Sequence, residues 1–340
     1  MKKTYLQNFS LIALSAAFLG LGSCSNDSAE SMDTDSMNPS ATSFELAHNE
    51  NDFVQLSGQK GAFENGLKTT TAPGDDRGRY NISLRYLVPP TERQQDVFES
   101  AAARWERIII KDVPSITGTI PSAFSGVPPI VENGTIDDIV IEVVIDSIDG
   151  PGKILGQAGP RFTRNSDGLT VTGLMFFDEA DLDTLDRLDL FENVIVHEMG
   201  HVLGIGTLWG RKGLLAGTAA EPYFAGRKAN VFWNAEGGVG ELPIENTGGP
   251  GTAYGHWRES ILRNELMTGY INLGENPLSR ITAGSLKDLG YGAASVGETY
   301  DLVKGAPGVD LDDLNTTSKE GLFIAKMEEV LLPIGVIEDD

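Results

Sequence analysis

The chain has 340 residues, and its 26 Lys and Arg against 49 Asp and Glu give a formal net charge of −23. This charge repels nucleic acids and anionic membrane surfaces, so we expect no nucleic-acid partner. A single cysteine excludes a framework of intramolecular disulfides, and the length allows one large domain or two small ones.

The amino terminus has the layout of a secretory signal. Two lysines precede the apolar run 9–21, which is too short for a typical membrane-spanning helix. The run leads into the letters LGSC at positions 21–24, which resemble a bacterial lipobox. We therefore predict that residues 1–23 are a lipoprotein signal peptide and that Cys24 is lipidated, which places the protein in the bacterial cell envelope, at the outer membrane or cell surface. The alternatives are an ordinary signal peptide cleaved elsewhere and a buried free cysteine.

Composition divides the remainder into three parts. Residues 24–78 are predicted to form a flexible tether or a pro-segment, because their first half is rich in Ser, Asp, Asn and Thr. Residues 79–300 carry the regular patterns of a folded domain. Residues 301–340 are predicted to be an acidic C-terminal extension, whose one apolar stretch, 322–337, indicates no role.

The first half of the domain predicts a scaffold of strands and one helix. Alternation over 80–88 predicts a strand, and helical spacing over 91–110 predicts a helix capped by Thr91. The β-branched run 138–145 is typical of a central buried strand. Residues 169–177 are predicted to be the edge strand that precedes the next helix.

Acidic residues crowd the stretch 178–189. They could hold a calcium ion, since hard oxygen ligands suit that metal, although their spacing fits no EF-hand loop. The alternative is a solvated acidic stretch that is favoured near the positive end of a helix.

The motif HEMGH at 197–201 carries the chemistry. Side chains four residues apart share a helix face, so His197 and His201 can bind one zinc ion while Glu198 stays at the flank as a general base. Apolar residues at helical spacing over 189–203 predict that helix, and Gly204 and Gly206 provide its stop.

A catalytic zinc ion needs a third protein ligand. His256 is the best candidate, because the remaining histidine, His48, lies in a polar stretch near the amino terminus. The intervening segment 207–255 is rich in glycine and contains several aromatic residues, five of which either line substrate subsites or pack a long excursion. These five are Trp209, Tyr223, Phe224, Phe232 and Trp233.

Three stretches together resemble the leishmanolysin-like metallopeptidases, a branch of the metzincins: HEMGHVLGIG, GHWRESILRNELMTGY and NPLSRITAGSLKDLGYG. Other metzincins place the third ligand six residues after the second histidine, where this chain has Thr207. The long insertion before the third histidine is itself a mark of the leishmanolysin-like branch. The resemblance covers about residues 80–292.

The resemblance implies an α+β, zincin-like or metzincin-like catalytic domain over 79–300. It would have a mixed twisted sheet and an HExxH active-site helix, followed by a mostly irregular and helical lower subdomain that carries the third histidine and a methionine turn at Met267. The helix after the turn is expected at 285–291. Tyr270 is assigned no catalytic role.

The resemblance also implies that an extended substrate pairs with the edge strand. The substrate-binding residues predicted on that strand are Leu169, Val171, Gly173 and Met175.

The combined expectation is a zinc-dependent endopeptidase that acts on extracytoplasmic polypeptides. Zinc-bound water would attack the scissile carbonyl, and Glu198 would take its proton. Two alternatives stay open: a surface-anchored binding lipoprotein with a retired metallopeptidase fold, and a hydrolase that acts on a non-peptide amide or ester. The sequence does not indicate an oligomeric state.

Overall fold

The computed structural model describes residues 44–48, 51–60, 78–249, 252–302 and 321–339. Residues 43–340 cluster as one compact unit. The predicted signal peptide and Cys24 lie outside the described residues.

The described strands belong to one large sheet and two small ones. They are β1 (Val54–Lys60), β2 (Ile82–Tyr86), β3 (Ile116–Ile120), β4 (Val131–Ile136), β5 (Ile139–Asp146), β6 (Gly156–Arg164), β7 (Thr170–Asp178), β8 (Leu215–Gly217), β9 (Pro222–Phe224), β10 (Leu242–Pro243), β11 (Ile271–Asn272), β12 (Gly321–Leu322), β13 (Glu328–Val330) and β14 (Gly335–Glu338).

The described helices surround the large sheet and the excursion that follows it. They are α1 (Glu92–Ile108), α2 (Glu179–Arg187), α3 (Phe191–Val202), α4 (Arg227–Ala235), α5 (Glu259–Leu262) and α6 (Arg280–Leu289), with a short 3-10 helix at Ile324–Lys326.

The large sheet has the strand order β2-β5-β7-β6-β14-β1-β3-β4 within the described residues, and β13 also pairs with β6. Strands β2, β5 and β7 run parallel to one another, whereas β6 is antiparallel to β7. Strand β14 lies parallel to both β6 and β1. The mixed sheet with its helices confirms the predicted α+β class.

Helix α1 begins where the sequence predicts it. The Thr91 side chain accepts a hydrogen bond from the Gln94 backbone, and the Gln94 side-chain oxygen accepts one from the Thr91 backbone N–H, which forms a capping box. Its buried face includes Trp105, whose Nε1 donates to the Val196 carbonyl of α3 at 2.9 Å. This contact fixes α1 against the helix that carries the two histidines.

The predicted edge strand is wrong, because β7 lies in the interior of the sheet between β5 and β6. The side chains predicted to bind substrate are in the core: Leu169, Val171 and Met175 are buried. A Cβ atom at Gly173 would lie 2.2 Å from Val202 of α3. Leu169 and Met175 belong to the core cluster that contains α3, and Val171 belongs to a second core cluster with Phe162 and Ile337. None of the four residues faces a substrate.

The strand on the outer side of β7 is β6, which the sequence analysis did not predict as a strand. It contains Gly156, Gly159 and Pro160, residue types that are depleted in strands. The register with β7 shifts after Pro160, which marks an irregularity there. The far side of β6 pairs with β13 at its start and with β14 at its end.

Strands from both sides of the predicted catalytic domain, 79–300, belong to the large sheet. Strand β1 comes from the predicted tether and pairs with β14, which comes from the predicted C-terminal extension. The apolar stretch 322–337 therefore contributes to the large sheet, which explains its composition.

Candidate metal centre

Three histidines meet at one buried point. The Nε2 atom of His201 lies 3.1 Å from that of His197 and 3.0 Å from that of His256, and the last two are 3.2 Å apart. These separations suit three nitrogen ligands around one ion at about 2.0–2.1 Å. The structure thus brings together the three residues that the sequence analysis proposed, and His48 is not part of this group.

The other ring nitrogen of each histidine faces a main-chain carbonyl. A carbonyl oxygen only accepts, so each Nδ1 carries the proton and each Nε2 presents a lone pair. Burial lowers the pKa of His201 to about 3, which keeps its imidazole neutral. The pairs are His197 with Leu266 at 2.7 Å, His201 with Ile205 at 2.9 Å and His256 with Thr252 at 3.1 Å.

The end of α3 places its second histidine. The Thr207 hydroxyl donates to the His201 carbonyl at 2.7 Å, so the residue at the usual third-ligand position caps the helix. Gly204 and Gly206 follow with φ of 108° and 76°, conformations that favour glycine. The predicted glycine stop is therefore confirmed.

Met267 lies directly against α3. A Cβ atom at Gly200, between the two histidines, would be 2.7 Å from the Met267 sulfur. The Trp257 backbone N–H donates to the Met267 carbonyl at 2.9 Å, which ties the segment after His256 to the methionine turn. Met267 is fully buried, consistent with a residue that shapes the floor of the site.

A buried carboxylate holds this turn in place. Glu265 accepts from the Met267 backbone at 2.7 Å, from the Ser279 hydroxyl at 2.7 Å and from the Thr282 hydroxyl at 2.6 Å. Ser279 is the N-cap of α6, so Glu265 links the methionine turn to the first turn of that helix. The helix expected at 285–291 begins earlier and is α6.

We expect Glu265→Ala to lower the free energy of unfolding by about 3 kcal/mol, because buried donors lose a charged acceptor. Glu275→Ala is the matched control, because Glu275 is exposed on the following loop and should change that energy by no more than about 0.5 kcal/mol. Urea unfolding measures both. Equal midpoints for the two variants would show that Glu265 is not needed for stability.

Glu198 is buried beside the histidines. Neither of its carboxylate oxygens accepts a hydrogen bond from the described residues. Burial, and then the nearby Glu328 carboxylate, raise the pKa of Glu198 well above its ordinary value. A buried carboxylate without a cationic partner is costly, so Glu198 is a candidate for a functional role.

Glu328 of β13 is the residue that the sequence analysis missed. Its buried carboxylate lies 2.9 Å from Nε2 of His256, 3.3 Å from Nε2 of His197 and 3.8 Å from Nε2 of His201. The sequence offers one hint, the pair Glu328–Glu329 inside the apolar stretch 322–337. No nearby motif connects this pair to the histidines.

The four side chains fit a divalent metal ion. Three imidazole lone pairs and one carboxylate converge on one point, and each of these groups is an acceptor there. Acceptors that face one another in a buried space repel, unless a cation lies between them. Three nitrogens and one oxygen are a donor set that zinc takes in tetrahedral geometry.

Most aromatic residues of the insertion pack as a core. The Trp209 ring stacks on that of Trp257 at 4.5 Å and contacts that of Phe224 at 5.2 Å between centroids. These three side chains and Trp233 are buried, and the insertion contains the small sheet β10-β9-β8 and helix α4. The packing alternative is therefore supported for Trp209, Phe224 and Trp233.

Among the described residues, the clusters of side chains that could bind a metal ion do not include the acidic stretch 178–189. The calcium alternative is therefore not supported. Asp178 is instead the N-cap of α2 and accepts from Ala180. Its other oxygen accepts three backbone N–H groups from residues 148–150, at 2.8–3.0 Å. Asp178 therefore anchors a loop.

The described helices include none with the length and apolar character needed to span a membrane.

The family model of the M8 peptidases, leishmanolysin, matches residues 228–305. The matched stretch contains His256, Met267 and helix α6, and it begins after the HEMGH motif. The chain is thus leishmanolysin-like, and the family is one of metallopeptidases. Comparison with curated proteins found no match.

Proposed function

We propose that this leishmanolysin-like chain is a zinc-dependent endopeptidase that cleaves polypeptides outside the cytoplasm. The observation that carries the proposal is the convergence of three imidazole Nε2 atoms, 3.0–3.2 Å apart, beside the unpaired buried carboxylate of Glu198. His197, His201 and His256 would hold the ion.

The chain's own residues would divide the work of hydrolysis. A bound zinc ion supplies a Lewis acid that polarises the scissile carbonyl and acidifies the attacking water. Glu198 would accept the proton of that water and deliver it to the leaving amine. The carbonyls that face the three Nδ1 atoms would keep each imidazole oriented. Met267 would shape the floor without touching substrate.

Delivery to the envelope is the second part of the proposal. The lipobox-like letters before Cys24 support a lipid anchor at the outer membrane or cell surface. The anchor would attach the protein to the membrane, and its partners would be polypeptide substrates. Palmitate labelling of the wild-type chain and of Cys24→Ala tests the anchor.

The metal requirement tests the function directly. We expect a strong chelator to reduce cleavage of unfolded casein at least tenfold, and a stoichiometric amount of zinc to restore it. Calcium alone should not restore cleavage, because imidazole ligands disfavour that ion.

Two results would favour the alternatives. A protein that holds one zinc ion but cleaves no member of a diverse peptide library would support the retired binding lipoprotein. Chelator-sensitive cleavage of esters or non-peptide amides, without cleavage of peptides, would support the different hydrolase.

A further inference from the structure

The segment 321–330, here called the closing segment, crosses the metal centre. It begins beside the methionine turn, where Leu322 of β12 pairs with Ile271 of β11. The Phe323 ring stacks on that of Tyr270 at 4.2 Å with an interplanar angle of 7°. These contacts hold the start of the segment on the side of the site formed by the methionine turn.

Two hydrogen bonds to the main chain of Ala325 continue this attachment. The Ala325 backbone N–H donates to the Gly269 carbonyl at 3.3 Å. The Thr252 hydroxyl, close to His256, donates to the Ala325 carbonyl at 2.6 Å. The middle of the closing segment therefore lies against both the methionine turn and the approach to the third histidine.

The segment then reaches the opposite side of the site at β6. Strand β13 runs parallel to β6, with Glu328 beside Gly156 and Val330 beside Ala158. The Leu331 N–H donates to the Ala158 carbonyl at 2.7 Å. A Cβ atom at Gly159 would lie 2.1 Å from the Leu331 carbonyl oxygen, so the two main chains are in close contact.

Between these two attachments the Glu328 side chain points at the histidine cluster. Its side chain has no solvent exposure, and Oε1 is 2.9 Å from Nε2 of His256. The carboxylate thus stands where a fourth ligand to the metal would stand. A catalytic zinc site needs that position for water or substrate.

We propose that the closing segment is an intramolecular inhibitor, with Glu328 as the fourth ligand and β13 on the edge of β6 that an extended substrate would use. The inference rests on the proposed function. The group that the segment presents to the metal is the Glu328 side-chain carboxylate and not a peptide carbonyl. The segment is therefore not itself cleaved. An extended polypeptide pairs with a sheet edge through main-chain hydrogen bonds. On β6, β13 already pairs with residues 156–158, so a substrate cannot pair with them at the same time.

Opening requires only a local change. β12 and β13 have two and three residues, so few ladder bonds hold the closing segment. Strand β14, in contrast, lies between β6 and β1 inside the large sheet. The segment can leave β11 and the start of β6 while β14 remains paired. Deleting the whole stretch would remove β14 as well, so point substitutions are the proper test.

The experiment compares Glu328→Ala with Glu132→Ala in the full-length, zinc-loaded protein. Glu132 is exposed on β4, the last strand of the large sheet and outside the closing segment, which makes it the control. We expect Glu328→Ala to increase both kcat/KM on a peptide and the affinity for acetohydroxamate, a bidentate zinc ligand, at least tenfold. Glu132→Ala should stay within twofold of wild type. The absorption spectrum of the cobalt-substituted protein should change only in the Glu328 variant.

Each other outcome has a definite reading. Equal cleavage and equal acetohydroxamate affinity in wild type and Glu328→Ala would overturn the inference and leave the proposed function intact. A gain in acetohydroxamate affinity without any peptide cleavage would refute the peptidase and retain the closure of the metal site by Glu328. Loss of zinc from a folded Glu328→Ala protein would show a structural ligand and overturn the inference. If Glu328→Ala fails to fold, Glu328→Gln is read by the same criteria.

Discussion

Glu198→Gln is expected to lower kcat/KM by a factor of about 10³, within the range of loss that removal of a general base produces. Glutamine keeps the shape of the side chain but cannot accept a proton at neutral pH. The change leaves the three histidines and the carbonyl partners of their Nδ1 atoms untouched. The variant should therefore bind zinc with the same stoichiometry, and metal analysis and peptide cleavage on one preparation measure both properties.

Glu192→Gln is the control for that loss. Glu192 lies in the first turn of the same helix, and its side chain is 47% exposed, so it should retain activity within twofold. Both substitutions are made in the wild-type protein and in the Glu328→Ala variant. The second background distinguishes low activity due to loss of the base from low activity due to closure of the site by Glu328. Equal activity of Glu198→Gln and Glu192→Gln in the open background would refute the role of Glu198.

Gly206→Ala is expected to weaken zinc binding by about 100-fold, a loss of the size seen when the supports of metal ligands are removed. Gly206 has a φ of 76°, and a Cβ atom there would lie 2.2 Å from the Gly255 carbonyl oxygen. Gly255 directly precedes His256, so the added methyl group displaces the third ligand. Competition with a chromogenic chelator measures the affinity.

Gly213→Ala separates this clash from backbone strain. Gly213 has a φ of 65°, but a Cβ atom there meets no atom within 4 Å. Both variants should lose roughly 1–2 kcal/mol of stability, because alanine disfavours the left-handed region. Only Gly206→Ala should lose affinity for zinc. A common loss of affinity would mean that strain, and not the position of His256, is responsible.

Local sequence rules account for the parts of the fold that local interactions form. The Thr91 cap, the buried strand β5 and the glycine stop after α3 each depend on residues close together in the chain. The convergence of the histidines follows the same logic for His197 and His201, which share one helix face. The assignment of His256 as the third ligand depends instead on the family resemblance and on the small number of histidines in the chain.

Long-range pairing was beyond those rules. The pattern predicts a strand at β7 but none at β6, whose two glycines and proline are residue types depleted in strands. The hairpin that places β6 outside β7 is therefore not visible in the pattern. Glu328 reaches the histidines only because β13 pairs with β6. A one-dimensional pattern contains no information about that pairing, so the fourth ligand could not be predicted.

The position of β14 has a consequence for how the molecule is made. Its neighbours in the large sheet, β6 and β1, come much earlier in the chain, and both pair with it in parallel. Parallel contacts between distant segments form slowly, because the intervening chain must first be ordered. The middle of the sheet stays incomplete until residues 335–338 have been synthesised. Because residues 321–330 are made before β14, the proposed inhibitory segment is already present in any chain whose large sheet can be completed.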